Sequence, residues 1–191
     1  MIRKIKESGL YDEVKKIYIT LIGEYDPEDW KDPKFQIIYE GKLGEYETET
    51  INRIDTNEPV LYIHSKGVTK PGIKTIDDWT DLMIYYLIDE WKMCLEGLKE
   101  YDTVGVNLHY QPIPNYTGKN VVHYSGNMWW ANGIHLKNIG KLKMNSYLDS
   151  EMYVCQKGKH LCLWDSCVNH YHEFYPCDQY IGKINTYSIT N

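Results

Sequence analysis

Apolar residues along this chain recur in two rhythms. Short continuous runs such as Val60-Leu61-Tyr62-Ile63 predict buried strands, here over residues 14–22, 35–39, 59–64, 102–107 and 161–164. A longer segment steps by three and four: Trp79, Leu82, Met83, Tyr86 and Leu87, then Trp91, Leu95 and Leu98. That spacing predicts a helix over 75–98 with Thr75 or Asp77 as its cap. Shorter helices are expected over 45–54, whose acidic first turn suits the macrodipole, and over 132–139. Another is expected over 146–156, with Ser146 and Asp149 as capping candidates, and a brief one around 179–184. Residues 1–8 place Ile2 and Ile5 at helical spacing before a stop at Gly9, without an N-cap. They read as the last two turns of a longer helix.

Strands alternate with helices over the first 110 residues, and the central strands are continuous apolar runs. Both features predict an α/β fold built on a mostly parallel sheet flanked by helices, with a mixed C-terminal half. In such sheets ligands bind beyond the carboxyl ends of the strands. Residues 23–24, 64–67 and 107–109 are therefore the places to look, Asn107 among them. One domain is expected over 1–191, with a ligand-binding half over 1–110 and a second half over 111–191.

The stretch His123-Tyr-Ser-Gly-Asn-Met-Trp-Trp-Ala131 stands out. It combines a small-residue turn (Ser125, Gly126), an amide (Asn127) and adjacent indoles (Trp129, Trp130). Successive side chains of a strand face opposite sides, so both indoles cannot enter one core from a strand. At least one lines a cleft or caps the core from another side. Flat apolar faces beside polar groups suit a sugar; the alternative is that both rings are core.

The net charge of −6 argues against non-specific binding to nucleic acid or anionic membrane. No apolar run approaches the ~18 residues of a spanning helix, and no signal peptide opens the chain. With five Cys and no C-x-x-C, reduced thiols in a cytoplasmic setting are expected. Cys162, Cys167, His170, His172 and Cys177 crowd one region, but their spacing matches no common zinc module, so no metal site is assigned. A single alanine among many Ile, Tyr, Lys and Asn points to a low-GC genome.

Chemistry gathers at the strand ends. His64-Ser65-Lys66-Gly67 sets an imidazole, a hydroxyl, a cation and a glycine together, which suits a phosphate group, although neither a P-loop nor G-x-G-x-x-G is present. The carboxylates Asp77, Asp78 and Asp81 read as first-turn charges of the long helix. Asp149 and Glu151 open a helix after the Trp-rich stretch, where either can serve as a general base on a hydroxyl or as a cap.

Taken together, Glu7-Ser-Gly-Leu-Tyr-Asp12, Leu61-Tyr-Ile-His-Ser-Lys-Gly67, Asp78-Trp79, Tyr101-Asp-Thr-Val-Gly-Val-Asn107, His123–Ala131 and, more weakly, Leu148-Asp-Ser-Glu-Met152 carry a resemblance. In order and spacing the chain resembles small glycosyltransferase-like proteins of large DNA viruses and bacteria. That resemblance implies a GT-A-like fold, a nucleotide-diphospho-sugar donor, a glycan acceptor and a cytoplasmic setting, that of the host if the source is viral. It implies His64, Ser65, Lys66, Gly67 and Asn107 on the donor diphosphate side. It implies His123, Ser125, Gly126, Asn127, Trp129 and Trp130 around the sugar and acceptor, with Asp149 or Glu151 as base. Two departures go with it. Relatives carry a strand and helix start ahead of Ser-Gly-Leu-Tyr-Asp, which leaves a truncated, non-catalytic nucleotide-sugar- or glycan-binding relative as the alternative. The Asp-x-Asp motif that holds a metal in many such enzymes is absent, with His64 and Lys66 in its place, so Mn²⁺ or Mg²⁺ is expected to be optional.

Overall fold

A short N-terminal helix, α1 (Ile2–Glu7), turns at Gly9 (φ +77°) into α2 (Leu10–Glu13), and Ser8 Oγ accepts the N–H of Leu10 at 3.3 Å. The structure, a computed structural model, describes residues 1–24, 26, 30–42, 47–66, 72–112, 120–146 and 148–191. Strands β1 (Ile17–Ile22) and β2 (Phe35–Gly41) pair in parallel as a two-stranded sheet. After α3 (Thr48–Asn52) and β3 (Pro59–Tyr62) come α4 (Lys74–Ile84), a π-helical turn (Tyr85–Asp89) and α5 (Trp91–Gly97). Strand β4 (Thr103–Gly105) leads into the antiparallel hairpin of β5 (Leu108–Pro112) and β6 (Asn120–Tyr124). The chain ends with β7 (Trp129–Asn132), α6 (Gly133–Ile139), α7 (Asp149–Tyr153), β8 (Lys159–Cys162) and β9 (Tyr187–Thr190).

The α/β class holds, but the sheet is mixed rather than mostly parallel. Its order is β3-β7-β4-β8-β9. Strand β7 runs antiparallel to β3 and β4, β9 runs antiparallel to β8, and β4 and β8 are parallel. The reason lies in what an apolar run reports. It signals a strand covered on both faces, and a central antiparallel strand is covered as fully as a parallel one. Because β7 lies between β3 and β4, the expected halves 1–110 and 111–191 share one sheet.

The alternation of β7 divides two cores. Trp129 and Ala131 face Tyr62, Leu108, Tyr124 and Val154. Trp130 and, just before the strand, Met128 face the helices, with Trp79, Leu82, Met83 and Val104. Both indoles are buried, 0% and 4% exposed. Each thus caps a separate core, and neither offers a face to solvent.

The helix expected over 75–98 is interrupted. At the π-helical turn the backbone ladder widens and releases carbonyls that side chains then take. Leu87 O accepts Trp130 Nε1–H at 2.9 Å, and Tyr86 O accepts the Cys94 thiol at 3.3 Å. Neither Thr75 nor Asp77 caps α4; its N-cap position is Ile73. Other ends move inward: the helix expected over 45–54 is Thr48–Asn52, with 45–46 outside the described residues, and that over 146–156 is Asp149–Tyr153, with 147 outside them. Around 179–184 the helix is replaced by a 3₁₀ turn at Cys177–Gln179. Among the described residues no helix is long and apolar enough to cross a membrane.

Strand β7 passes into α6 through a close backbone contact. A Cβ on Gly133 would lie 2.2 Å from Thr56 O and 2.7 Å from Glu58 O, and the Gly133 N–H donates to Glu58 O at 3.1 Å. Backbone atoms cannot rotate away as a side chain can. Gly133→Ala is therefore expected to destabilise the fold by about 1–3 kcal/mol. The urea midpoint reads this directly, and a midpoint equal to wild type would refute the close contact.

Candidate functional site

The turn that feeds β7 is shaped by two residues with positive φ, Gly126 (+98°) and Asn127 (+51°). At Gly126 the backbone approaches α4 closely: a Cβ would sit 2.6 Å from Met83 Sδ and 3.2 Å from Trp79 Cε2. The Gly126 carbonyl accepts a hydrogen bond from His64 Nε2 at 3.0 Å, which places that proton on Nε2. The Asn127 amide is oriented from both ends. Its Oδ1 accepts Trp129 Nε1–H at 3.0 Å, and its Nδ2 donates to Glu47 Oε2 at 2.5 Å.

Glu47, immediately before α3, collects these groups. Besides Asn127 it faces His64 Nδ1 at 3.4 Å and hydrogen-bonds the Tyr62 hydroxyl. Burial, reinforced by the Glu47 charge, pushes the Tyr62 phenol well above its ordinary range. Tyr62 stacks on Trp129 with ring centroids 4.9 Å apart, so the polar cluster rests on the core that Trp129 enters.

Lys66, two residues beyond His64, lies over the Trp79 ring, its Nζ 3.9 Å from the centroid. Trp79 in turn stacks on His170 at 5.2 Å with the planes 5° apart. Glu151 on α7 feels both sides of the cluster. Burial raises its carboxyl, the Lys66 charge draws it back down, and the Glu47 charge raises it further.

Asn107 (φ +49°) ties β4 to the turn and to His170. Its carbonyl accepts the Ser125 N–H at 2.9 Å, its Oδ1 accepts the Ser166 N–H at 2.9 Å, and its Nδ2 reaches His170 Nε2 at 3.3 Å. Of the expected donor-side residues, His64, Lys66 and Asn107 therefore meet around one turn. Ser65 is exposed, and Gly67 lies outside the described residues. Of the acceptor-side residues, Ser125, Gly126 and Asn127 form that turn, and Trp129 anchors it.

The others lie elsewhere. Trp130 points into the helical core. His123 is buried and meets His109 edge-on at 5.7 Å, and burial lowers its pKa. His109 faces Asp165 at 3.6 Å, and that contact, with the Cys167 N–H and the Tyr187 hydroxyl, holds the Asp165 carboxyl down to about 2. Asp149 accepts the N–H groups of Asn145 and Ser146 at 2.6 and 2.7 Å. It lines a cavity of about 490 Å³ with Tyr110, Lys143, Met152 and Gln156, and none of the turn's residues reaches that cavity. Volume alone is a poor guide to chemistry; the convergence of charged groups at the turn is the stronger mark of a site.

Glu47, Trp79 and His170 were not among the expected site residues. Glu47 sits in an acidic helix start, where charge is unremarkable, and the Trp79–His170 stack joins segments distant in sequence. Among the described residues, no three His, Cys, Asp or Glu side chains are grouped to hold a metal ion. The five cysteines are free thiols, with Cys94, Cys155 and Cys162 buried and Cys167 and Cys177 exposed. No protein-family model, curated protein or solved structure matches the chain.

Two buried histidines make stability depend on pH. Burial pushes His170 and His160 each down to about 4. Between the unfolded value of about 6.5 and about 4, the unfolded chain binds protons that the folded chain does not. Their stabilisation is complete above that window and is lost as pH falls through it, by up to about 1.4 kcal/mol per pH unit for each ring. Urea midpoints measured from pH 7 to pH 4 are expected to fall, and to fall less steeply in His170→Gln. A wild-type profile that stays level across the window would contradict neutral burial of both rings.

Proposed function

We propose that the chain is a glycosyltransferase that moves a sugar from a nucleotide-diphosphate donor to a glycan hydroxyl, on a GT-A-like variant of the α/β fold. The observation that supports this most is the meeting of opposite charges around the Ser125-Gly126-Asn127 turn. The Lys66 ammonium and the Glu151 and Glu47 carboxyl groups gather there, with His64 hydrogen-bonded to the Gly126 carbonyl and facing Glu47.

Transfer needs both. As the acceptor oxygen attacks the anomeric carbon, its proton must leave, and the bond from that carbon to the diphosphate oxygen breaks. The electron pair of that bond departs with the diphosphate. In this reading Glu151 takes the proton and Lys66 offsets the charge developing on the diphosphate. Glu151 suits the base role better than Asp149, because two backbone N–H groups already hold the Asp149 carboxylate. Burial also makes Glu151 a stronger base than an exposed carboxylate. Glu47 is a positioning residue that orients Asn127 and His64. Any divalent ion is an aid to the diphosphate rather than a requirement.

The test is a transfer assay over a panel of nucleotide sugars, with calorimetry on the same panel. Glu151→Gln is expected to lower turnover by about 10²–10⁴-fold with donor affinity retained. Lys66→Ala is expected to weaken donor binding at least about tenfold. Turnover should fall toward acid pH at a point above the usual carboxylate range, because burial raises Glu151. Unchanged turnover in Glu151→Gln removes its assignment as base. Complete loss with EDTA, restored by Mn²⁺, replaces the side-chain account of the diphosphate. Donor binding with neither transfer nor slow hydrolysis identifies the non-catalytic relative instead.

A further inference from the structure

Among the described residues, two ring N–H groups on the stacked Trp79 and His170 near Lys66 are buried without an acceptor. One is Trp79 Nε1, in a residue 2% exposed. The other is His170 Nδ1, in a residue 4% exposed. The position of the histidine proton follows from its neighbours. The Ser166 N–H donates to Asn107 Oδ1, which fixes the amide so that Asn107 Nδ2–H points to His170 Nε2. An amide nitrogen only donates, so Nε2 is an acceptor, and it also takes the Ser166 hydroxyl at 2.8 Å. The neutral ring therefore carries its proton on Nδ1.

A buried donor without an acceptor is costly and rare, and two on stacked rings call for a common explanation. The rings lie parallel, 5.2 Å apart, and the Lys66 ammonium stands 3.9 Å from the indole centroid. The edge of Trp79 that bears Nε1 packs at the Gly126 turn, since Cε2 is the atom that a Cβ there would meet at 3.2 Å. The nearby Asp78 carboxylate is held by Lys74 at 2.5 Å and by the Tyr175 N–H at 3.3 Å. It makes no hydrogen bond to either ring. Two donors and a cation favour an acceptor that carries negative charge.

We propose that Trp79 Nε1–H and His170 Nδ1–H donate to the oxygens of a phosphate group held beside Lys66. The inference rests on the reading of Lys66 as the cation of the diphosphate side. It adds two residues that fix the phosphate by direction, where Lys66 supplies charge. Ligand binding then satisfies two groups that folding alone leaves unsatisfied.

The test follows the ring protons themselves. In ¹H–¹⁵N spectra of the full chain, the Trp79 indole signal is assigned by its loss in Trp79→Phe. Titration with inorganic pyrophosphate is expected to move it saturably downfield, together with the His170 Nδ1 signal. Trp79→Phe and His170→Ala should each weaken pyrophosphate binding at least about tenfold. Should either variant fail to fold, the wild-type titration still decides. The same shifts at equal affinity with orthophosphate support a site for a lone phosphate; shifts only with pyrophosphate or a nucleotide support the diphosphate. A Trp79 indole signal that stays in place at saturating pyrophosphate, or no binding at all, overturns the proposal. Sugar transfer with the Trp79 signal unmoved by a nucleotide overturns this inference alone. Shifted signals without any transfer sustain it and remove the glycosyltransferase reading.

Discussion

The register of β7 is the constraint on which the rest depends. Side chains alternate along a strand, so Trp129 and Trp130 must enter opposite cores. Each indole also ends in a specific hydrogen bond, Trp129 to Asn127 Oδ1 and Trp130 to Leu87 O. A slip of one residue would exchange the two rings and break both bonds. The Ser125-Gly126-Asn127 turn lies directly ahead of the strand, so whatever fixes the register fixes the turn. The partners of β7 on both sides, β3 and β4, lead at their carboxyl ends to His64 and Asn107. The cluster is thus assembled by one antiparallel strand set between two that share a direction.

Within the cluster, charge is arranged against the trend of the whole chain. The net charge of −6 favours cationic partners at long range, yet the Lys66 ammonium stands in the cluster where β3 ends. Glu47 makes that arrangement tolerable. Its carboxylate is partly buried; Asn127 and Tyr62 donate to it, and His64 Nδ1 faces it. A half-buried carboxylate without such donors would be expensive to keep ionised. Ionised, it raises Glu151, while Lys66 pulls Glu151 the other way. Two carboxylates in one neighbourhood are thereby separated in role: one saturated by hydrogen bonds, the other shaped mainly by burial.

Much of the scaffold was legible from short-range pattern. The run Val60–Ile63 and the three-and-four spacing from Trp79 place β3 and α4 because burial of a face leaves a local period. Ser8-Gly9 reads as a helix stop because only local geometry is involved. Strand direction was not legible, since burial on two faces looks alike in parallel and antiparallel strands. Nor was the π-helical turn, because the spacing of Tyr86, Leu87 and Trp91 suits a regular helix. It goes with a tertiary hydrogen bond from Trp130, which no window around residue 87 contains. The site divides along the same line. His64, Lys66, Asn107, Gly126 and Asn127 lie at strand ends and in a turn, which sequence marks. Glu47, Trp79 and His170 join through contacts between distant segments.

That division has a consequence for rigidity. Helix α4 touches the 125–130 segment at both ends: Met83 and Trp79 pack against Gly126, and just beyond the helix Leu87 O receives the Trp130 indole. Between these contacts the turn cannot shift without opening a core or leaving an indole N–H unpaired, and either change is strongly disfavoured. His64, hydrogen-bonded to the Gly126 carbonyl, inherits that position, as does Asn127. Lys66 lies over the Trp79 ring, and Glu151 feels the Lys66 and Glu47 charges. A fixed frame that carries two charged side chains suits a bound charged ligand, because the frame sets direction while the side chains supply charge.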